Sequence, residues 1–193
     1  MKKMGHRRKK GEYGYREYRR KVQVGEVLFG AVMILVQLGA RQFTDSQAVK
    51  NVLTVMAILS VLPTANVASP LLAAWRYKTP PRSFLERVQV YESKFPVLYD
   101  LILTSKEAIM PVDAAAVHPT GVYLYCTSRK VDAKKAEKFL NDMFAAHHLD
   151  PHVRMIQEEK AFFQRLESLK PVSEYEDDGS TQYTLELLKQ LSM

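Results

Sequence analysis

Residues 52–75 form an uninterrupted run of 24 positions without a charged side chain. A soluble helix of this length nearly always carries a charged face, whereas about 20 apolar residues are what a helix needs to cross a bilayer. Residues 22–40 form a second apolar segment of 19 positions with Glu26 as the one charge, and as a helix they would span about 28 Å. The two segments predict a membrane α-helical hairpin over residues 22–78.

Basic residues are distributed unevenly around the two segments. Ten Lys and Arg side chains lie within residues 1–21, two lie in the connecting residues 41–51, and four follow between residues 76 and 87. Flanking segments rich in Lys and Arg stay on the cytoplasmic side. We therefore predict a multi-pass protein of the cell membrane with both termini cytoplasmic. The predicted membrane-interface residues are Arg19, Arg20, Lys21, Trp75 and Arg76.

Residues 1–21 are predicted to be a basic cytoplasmic tail, and three interpretations fit their composition. The tail could contact anionic lipids, at roughly 1 kcal/mol per basic residue near the surface. It could bind nucleic acid, or it could only set the topology. A cleaved signal peptide is disfavoured, because no A-x-A pattern follows residues 22–40 and a second apolar segment does. A buried hairpin in a soluble protein is the remaining alternative.

The second apolar segment contains Pro63 and Pro70 on either side of Asn66, and a kink is expected there. Small residues recur every four positions at Ala65, Ser69 and Ala73, which lets another helix approach closely. One interpretation is helix packing within the hairpin or in a homo-oligomer. The other is a polar site in the membrane for a lipid head group or a small solute.

The remaining sequence predicts an α/β (α+β) cytoplasmic domain over residues 82–170, followed by an acidic linker and a C-terminal helix over residues 171–193. Apolar periodicity and turn residues predict a small mixed sheet with the element order αβββαβα. The predicted helices are 84–94, 133–147, 158–169 and 182–191, and the predicted strands are 97–104, 109–117, 121–128 and 152–156. Pro111 indicates an edge position or an irregular start for the second strand. We expect residues 82–193 to fold alone.

Few side chains in this domain suggest chemistry. The chain lacks G-x-x-x-x-G-K-[ST] and G-x-G-x-x-G, and its single cysteine, Cys126, excludes a disulfide within the chain and a Cys-rich zinc site. Cys126 is predicted to be a buried, inert thiol. No cofactor and no metal are predicted, although a metal site could in principle draw on Asp113, His118, His147 and His148.

Three carboxylates, Asp100, Glu107 and Asp113, could form a further site. Asp113 is the one catalytic candidate, because it interrupts an apolar run. A solvent-facing or strand-end carboxylate is the alternative interpretation. Lys134, Lys135 and Lys138 lie on one face of a predicted helix and are candidates for contact with nucleic acid or a protein partner.

The segment VDAAAVHPTGVYLYCTS, residues 112–128, resembles the NERD branch of the restriction-endonuclease-like proteins. The resemblance implies an αβββαβ core with a catalytic Asp near Asp113 and a glycine at Gly121. The Glu and Lys of that family would fall near Cys126 and Ser128, so both catalytic types are missing. Without them a metal ion would lack its ligands and the attacking water its charge stabiliser. The resemblance therefore implies the fold without the activity.

The chain as a whole resembles short two-span bacterial membrane proteins, some of which are labelled O-linked GlcNAc transferase-like. The sequence contains neither a sugar-nucleotide site nor helical repeats that would support this activity. The resemblance implies the bacterial inner membrane, and we therefore expect an integral protein of that membrane with a non-catalytic cytoplasmic domain that binds an unknown protein partner. The alternative is a membrane-tethered nuclease-like domain that binds nucleic acid.

Overall fold

The computed structural model describes residues 8–105, 108–150, 152–176 and 179–193. It divides the chain into two compact units. Unit 1 combines the residues up to Arg16 with Tyr77–Met193, and unit 2 is Glu17–Arg76. The domain boundaries therefore differ from the prediction, because the N-terminal segment and the C-terminal helix both belong to the unit that contains the sheet.

Unit 2 is built from two helices, α1 (Tyr15–Gln42) and α2 (Gln47–Ala74), of 28 residues each. Each is about 42 Å long at 1.5 Å per residue. Residues 43–46 alone connect them, so the predicted 11-residue loop is wrong: Arg41 and Lys50 are helical. α1 also begins seven residues before the predicted segment, directly after Gly14, whose φ of +82° lies in the left-handed region.

A seven-residue repeat of buried and half-buried positions joins α1 to α2. A Cβ on Gly30 would lie 2.3 Å from Thr64 Oγ1, so the two helices approach closely there. Gln37 Nε2 donates to Ser60 Oγ at 3.3 Å. Residues seven positions apart lie on the same face of a helix, so two helices can stay in contact along that face. The positions in this repeat are Gln23, Gly30 and Gln37 in α1 and Ala57, Thr64 and Leu71 in α2.

Unit 1 contains a four-stranded mixed sheet, as predicted. Its strands are β1 (Val97–Thr104), β2 (Ile109–His118), β3 (Gly121–Tyr125) and β4 (Val153–Ile156), in that spatial order. β1, β2 and β3 pair antiparallel, and β3 pairs parallel with β4. The helices are α3 (Arg82–Gln89), α4 (Ala133–Ala146), α5 (Glu159–Ser168) and α6 (Ser180–Leu191), with 3₁₀ turns at Val90–Ser93 and Val172–Glu174.

The sheet lies between two apolar cores. One core joins the sheet to α4 and α6 through residues that include Leu140, Phe144 and Leu188. The other joins the opposite face to α3 and α5 through Phe84 and Phe162 among others. α6 is therefore part of the folded unit, because its apolar side is needed to cover the sheet.

Pro111 lies within β2, opposite Ile102 of β1, at a point where β3 does not reach, because β3 pairs only with residues 114–118. Ile102 turns its backbone away from β2: its N–H donates to Ser192 Oγ at 3.1 Å, and its C=O accepts from Met193 N at 3.0 Å. Proline lacks an N–H, and at this position that lack therefore removes no hydrogen bond from the sheet. Proline is tolerated in a strand where one side has no neighbouring strand.

Both edges of the sheet are hydrogen-bonded to other parts of unit 1. On β1, Tyr99 N–H donates to Gly11 O at 2.8 Å, and the C-terminal residues bond to Ile102. On β4, the backbone N–H and C=O of Val153 both bond to the Asn141 side chain. Met155 N–H donates to Glu137 Oε1 at 2.8 Å. Two side chains of α4 thus take the place of a fifth strand.

Candidate functional site

Asp113, the catalytic candidate, lies in β2 and is only 5% exposed. Its Oδ1 accepts from Arg16 Nη1 at 2.7 Å. Its Oδ2 accepts from both Thr127 N at 3.1 Å and Thr127 Oγ1 at 2.6 Å. Both carboxylate oxygens are therefore occupied, and Thr127 leaves the predicted strand 121–128 to make these bonds instead of ladder bonds.

Asp100 lies in β1 opposite Asp113 and is fully buried, with φ of +54°. Its Oδ2 accepts from Gly14 N at 2.6 Å and from Thr79 Oγ1 at 2.9 Å. Its Oδ1 is 3.7 Å from Arg16 Nε, and within the described part of the chain neither of these two atoms has a hydrogen-bond partner. A buried ion pair without direct hydrogen bonds is weakly compensated for its lost hydration.

Arg16 holds the two aspartates together and is 6% exposed. Its Nη2 donates to the carbonyl oxygens of Leu101 at 2.8 Å and Val112 at 2.6 Å, and its Nη1 donates to Lys78 O at 3.0 Å. We call Asp100, Arg16 and Asp113 the charge cluster. Arg16, which belongs to the predicted basic tail of residues 1–21, therefore bonds to the backbone of both β1 and β2.

The charge cluster contains two carboxylates and one guanidinium, so one negative charge is not balanced within it. Burial raises the pKa of Asp100, while Arg16 and the bonds from Thr79 and Gly14 act in the opposite direction. Protonating Asp100 would balance the cluster. The cluster is thus arranged to hold chain segments together, and its carboxylates do not face an open cleft.

The other candidate carboxylates and histidines do not assemble into one site. Glu107 lies outside the described residues. His118 contacts Thr120 Oγ1 at 2.7 Å and Lys170 O at 3.0 Å, and burial lowers its pKa. His147 Nδ1 is 3.1 Å from Tyr183 OH. Among the described residues, no group of three His, Cys, Asp or Glu side chains could hold a metal ion.

Cys126 is buried in the core against α4, as its strand position predicts. Its Sγ is 3.7 Å from Ser128 O. Burial raises the pKa of the thiol to about 11, which opposes formation of the nucleophilic thiolate at neutral pH.

Lys134, Lys135 and Lys138 are exposed on α4, but they do not form one group. Lys135 and Lys138 line a cavity of about 740 Å³ together with Lys130, whereas Lys134 does not. Of the three lysines predicted from sequence, two therefore line the cavity and the third lies outside it.

Within unit 2, the predicted interface residues Arg20 and Trp75 come together, with the guanidinium carbon 5.8 Å from the ring centroid. Arg19, Lys21 and Arg76 are exposed. A basic side chain beside an exposed tryptophan is the combination found where helices meet a membrane surface.

The helix α2 continues through both prolines. Thr64 Oγ1 donates to Ser60 O at 2.8 Å and Ser69 Oγ donates to Ala65 O at 2.9 Å, each four residues back. These are not the carbonyls that the prolines leave unpaired, which belong to Leu59 and Asn66. Of the predicted small-residue stripe, Ala65 and Ser69 are exposed, so packing within the hairpin does not account for it.

Sequence reasoning found Asp113 but missed Arg16 as its partner. A signal was present: β1 and β2 each contain one carboxylate in an otherwise apolar run. Buried charges are normally paired, so two of them require a cation from elsewhere. Comparison of the chain with protein-family models, curated proteins and solved structures finds no significant match.

Proposed function

We propose that this chain is an integral membrane protein in which α1 and α2 span the bilayer and anchor unit 1, a cytoplasmic binding domain without catalytic activity of its own. The observation that best supports this proposal is the exposure of the two helices. Both have a mean hydropathy of 1.8 over their most apolar stretch, of which only 11% in α1 and 6% in α2 is buried. A core helix of a soluble protein would bury most of that stretch.

The exposed side chains support the same proposal. Leu28, Phe29 and Leu72 are 63%, 69% and 71% exposed. In water such a surface would drive association, whereas in a bilayer it is the surface that lipid chains contact. We propose that the basic residues near Trp75 contact anionic lipid head groups, and that the charge asymmetry keeps both termini in the cytoplasm.

The proposal of a binding domain without catalysis is supported by the charge cluster. A hydrolytic carboxylate needs an approachable metal or water, and Asp113 is buried with both oxygens bonded. Unit 1 also exposes few large apolar side chains: among the described residues outside 24–75, only Val90 and Tyr183 are exposed. We therefore propose that polar and charged groups recruit its partner.

Single-cysteine labelling in intact bacterial cells tests the membrane arrangement. Cys126→Ser provides a cysteine-free background, into which Asp45→Cys or Val90→Cys is introduced; both positions are exposed. A membrane-impermeant maleimide should label position 45 in intact cells and position 90 only after permeabilisation. Labelling of position 90 in intact cells, or extraction of the protein by alkaline carbonate, would contradict the proposal.

A nuclease-like domain is the second candidate, and the lysines of α4 are the observation that favours it. The full chain in detergent is incubated with supercoiled plasmid and Mg²⁺ or Mn²⁺. We expect no cleavage. Cleavage by the native chain that is lost in Asp113→Asn would replace the non-catalytic proposal with the nuclease.

A further inference from the structure

The cavity of about 740 Å³ lies beside the first turns of α4, close to where β1 ends and β2 begins. This volume is within the roughly 300–1,000 Å³ typical of small-molecule sites. Both charged and apolar side chains line it. The lining includes Lys130, Lys135 and Lys138 together with Met110, Val131 and Phe139.

Basic side chains outnumber acidic ones in this region. Residues 129–138 contain five basic side chains and two acidic ones, Asp132 and Glu137. Asp132 Oδ1 accepts from Lys134 N and Lys135 N at the start of α4. Glu137 Oε1 accepts from Met155 N at the edge of β4. Both carboxylates keep their negative charge, and Asp132 lines the cavity together with Asp142, so the three lysines of the lining exceed its carboxylates by one charge.

The three cavity lysines are not engaged in ion pairs. Across the residues that the structure describes, no carboxylate lies within 4.0 Å of their ammonium groups, since the ion pairs of unit 1 involve other residues. Three such ammonium groups around one cavity favour a ligand with concentrated negative charge, and phosphate is the common biological group of that kind.

The other lining residues restrict the class of possible ligands further. Phe139 is only partly buried and offers an apolar surface, whereas Met110 and Val131 are 1% and 7% exposed. Asp142 also lines the cavity and is exposed, so it provides an acceptor for a hydroxyl or amino group. A continuous nucleic-acid backbone fits less well, because its phosphates would have to pass Asp132 and Asp142.

We propose that this cavity binds a small phosphate ester that carries an apolar or aromatic group and a hydroxyl or amino donor, a mononucleotide being the simplest example. Lys130, Lys135 and Lys138 contact the phosphate, Phe139 contacts the apolar group, and Asp142 accepts from the donor. The inference names a ligand class for the proposed binding domain. It does not depend on the membrane arrangement. The labelling experiment at positions 45 and 90 and the ligand-binding experiment therefore test separate proposals.

Isothermal titration of the full chain in a neutral detergent tests the inference with AMP, inorganic phosphate and adenosine. We expect AMP to bind more tightly than either part of it. Lys135→Gln and Lys138→Gln should each weaken AMP binding about tenfold, the effect of losing one charge-assisted hydrogen bond. Asp142→Asn should reduce the preference for AMP over inorganic phosphate, because the carboxylate acceptor is lost.

Lys134→Gln is the matched control, because Lys134 is an exposed lysine of the same helix that does not line the cavity. It should leave the affinity for AMP unchanged. Absence of AMP binding up to about 10 mM, or equal weakening by Lys134→Gln and Lys135→Gln, would overturn the inference. Tighter binding of duplex DNA than of AMP, with all three lysines of α4 contributing equally, would also overturn it and favour a nucleic-acid surface.

Discussion

Asp100 and Asp113 occupy facing positions on β1 and β2. At these two residues the side chains of both strands break their regular alternation between the two faces of the sheet. The register pairs Tyr99 with Ala114 and Leu101 with Val112. In a regular strand, residues three apart point to opposite faces. Here Leu98 and Leu101 are three apart in β1, yet they lie in the same core. Val112 and Ala115 are three apart in β2 and also lie in that core. The left-handed conformation of Asp100 marks the point of exchange.

Arg16→Met should destabilise unit 1 strongly, because it leaves both aspartates buried without a cation. We expect a loss of about 3–5 kcal/mol in the free energy of unfolding, the cost of removing one partner of a buried pair. Thermal and denaturant unfolding of the full chain in detergent, followed by near-UV circular dichroism, measures it. Arg19→Met, at an exposed position, is the control and should stay within about 0.5 kcal/mol.

Combining Arg16→Met with Asp100→Asn and Asp113→Asn should recover part of this loss, because no uncompensated charge then remains buried. Equal unfolding free energies for Arg16→Met and Arg19→Met would show that the cluster contributes nothing to stability.

Asp113→Asn should cost more stability than Asp100→Asn. Asp113 accepts a direct bond from Arg16 at 2.7 Å, whereas the closest approach of Asp100 to Arg16 is 3.7 Å. We expect a loss of about 3 kcal/mol for Asp113→Asn and about 1 kcal/mol or less for Asp100→Asn. A larger loss for Asp100→Asn in the same unfolding experiment would contradict this ranking.

Asp100 should also give unit 1 a distinct pH dependence. Burial raises its pKa in the folded chain, so on acidification the folded state takes up a proton before the unfolded state does. The contribution of Asp100 to stability therefore grows as the pH falls toward about 4 and is lost as the pH rises through the raised pKa. The difference in unfolding free energy between the native chain and Asp100→Asn should grow in favour of the native chain between pH 7 and about 4.5. Parallel curves for the two proteins would disprove it.

Gly30→Leu should disrupt the α1–α2 pair, because even a Cβ at this position would meet Thr64 Oγ1. We expect a loss of about 1–3 kcal/mol, as for other overpacked contacts. Gly25→Leu is the matched control in the same helix, since a Cβ on Gly25 would meet no other described segment within 4 Å. The melting temperature of the full chain in detergent should fall for the first variant only. A similar fall for both would mean that glycine is required in α1 for another reason.

A fragment of residues 77–193 should fold poorly, contrary to what the sequence suggests for residues 82–193. It lacks the Gly11 bridge to β1, the Gly14 bond to Asp100 and the whole of Arg16. Joining residues 8–16 to residues 77–193 through a short Gly-Ser linker should restore a cooperative thermal transition, because Arg16 Nη1 and Lys78 O are only 3.0 Å apart. A cooperative transition of equal midpoint in both fragments would show that the N-terminal segment is dispensable.

The sequence predicted the helices and strands of unit 1 because their apolar periodicities are local. It predicted the two long helices for the same reason, although it began them too late, at residues 22 and 52 instead of Tyr15 and Gln47, because polar residues form their first turns. The charge cluster could not be predicted in this way. Arg16 meets Asp100 and Asp113, which follow it by 84 and 97 positions, so only the path of the whole chain brings them together. The cavity depends likewise on two elements that are distant in sequence, the β1–β2 turn region and α4.

The bonded edges of the sheet bear on the proposed attachment of unit 1 to a membrane. Confinement to two dimensions raises the local concentration of neighbouring copies, and open strands would then pair between them. Gly11 and the C-terminal residues occupy the β1 side, while Asn141 and Glu137 occupy the β4 side. Within the described residues both edge strands already bond to other parts of unit 1, so crowded copies would pair less readily through a strand edge than copies of an open sheet.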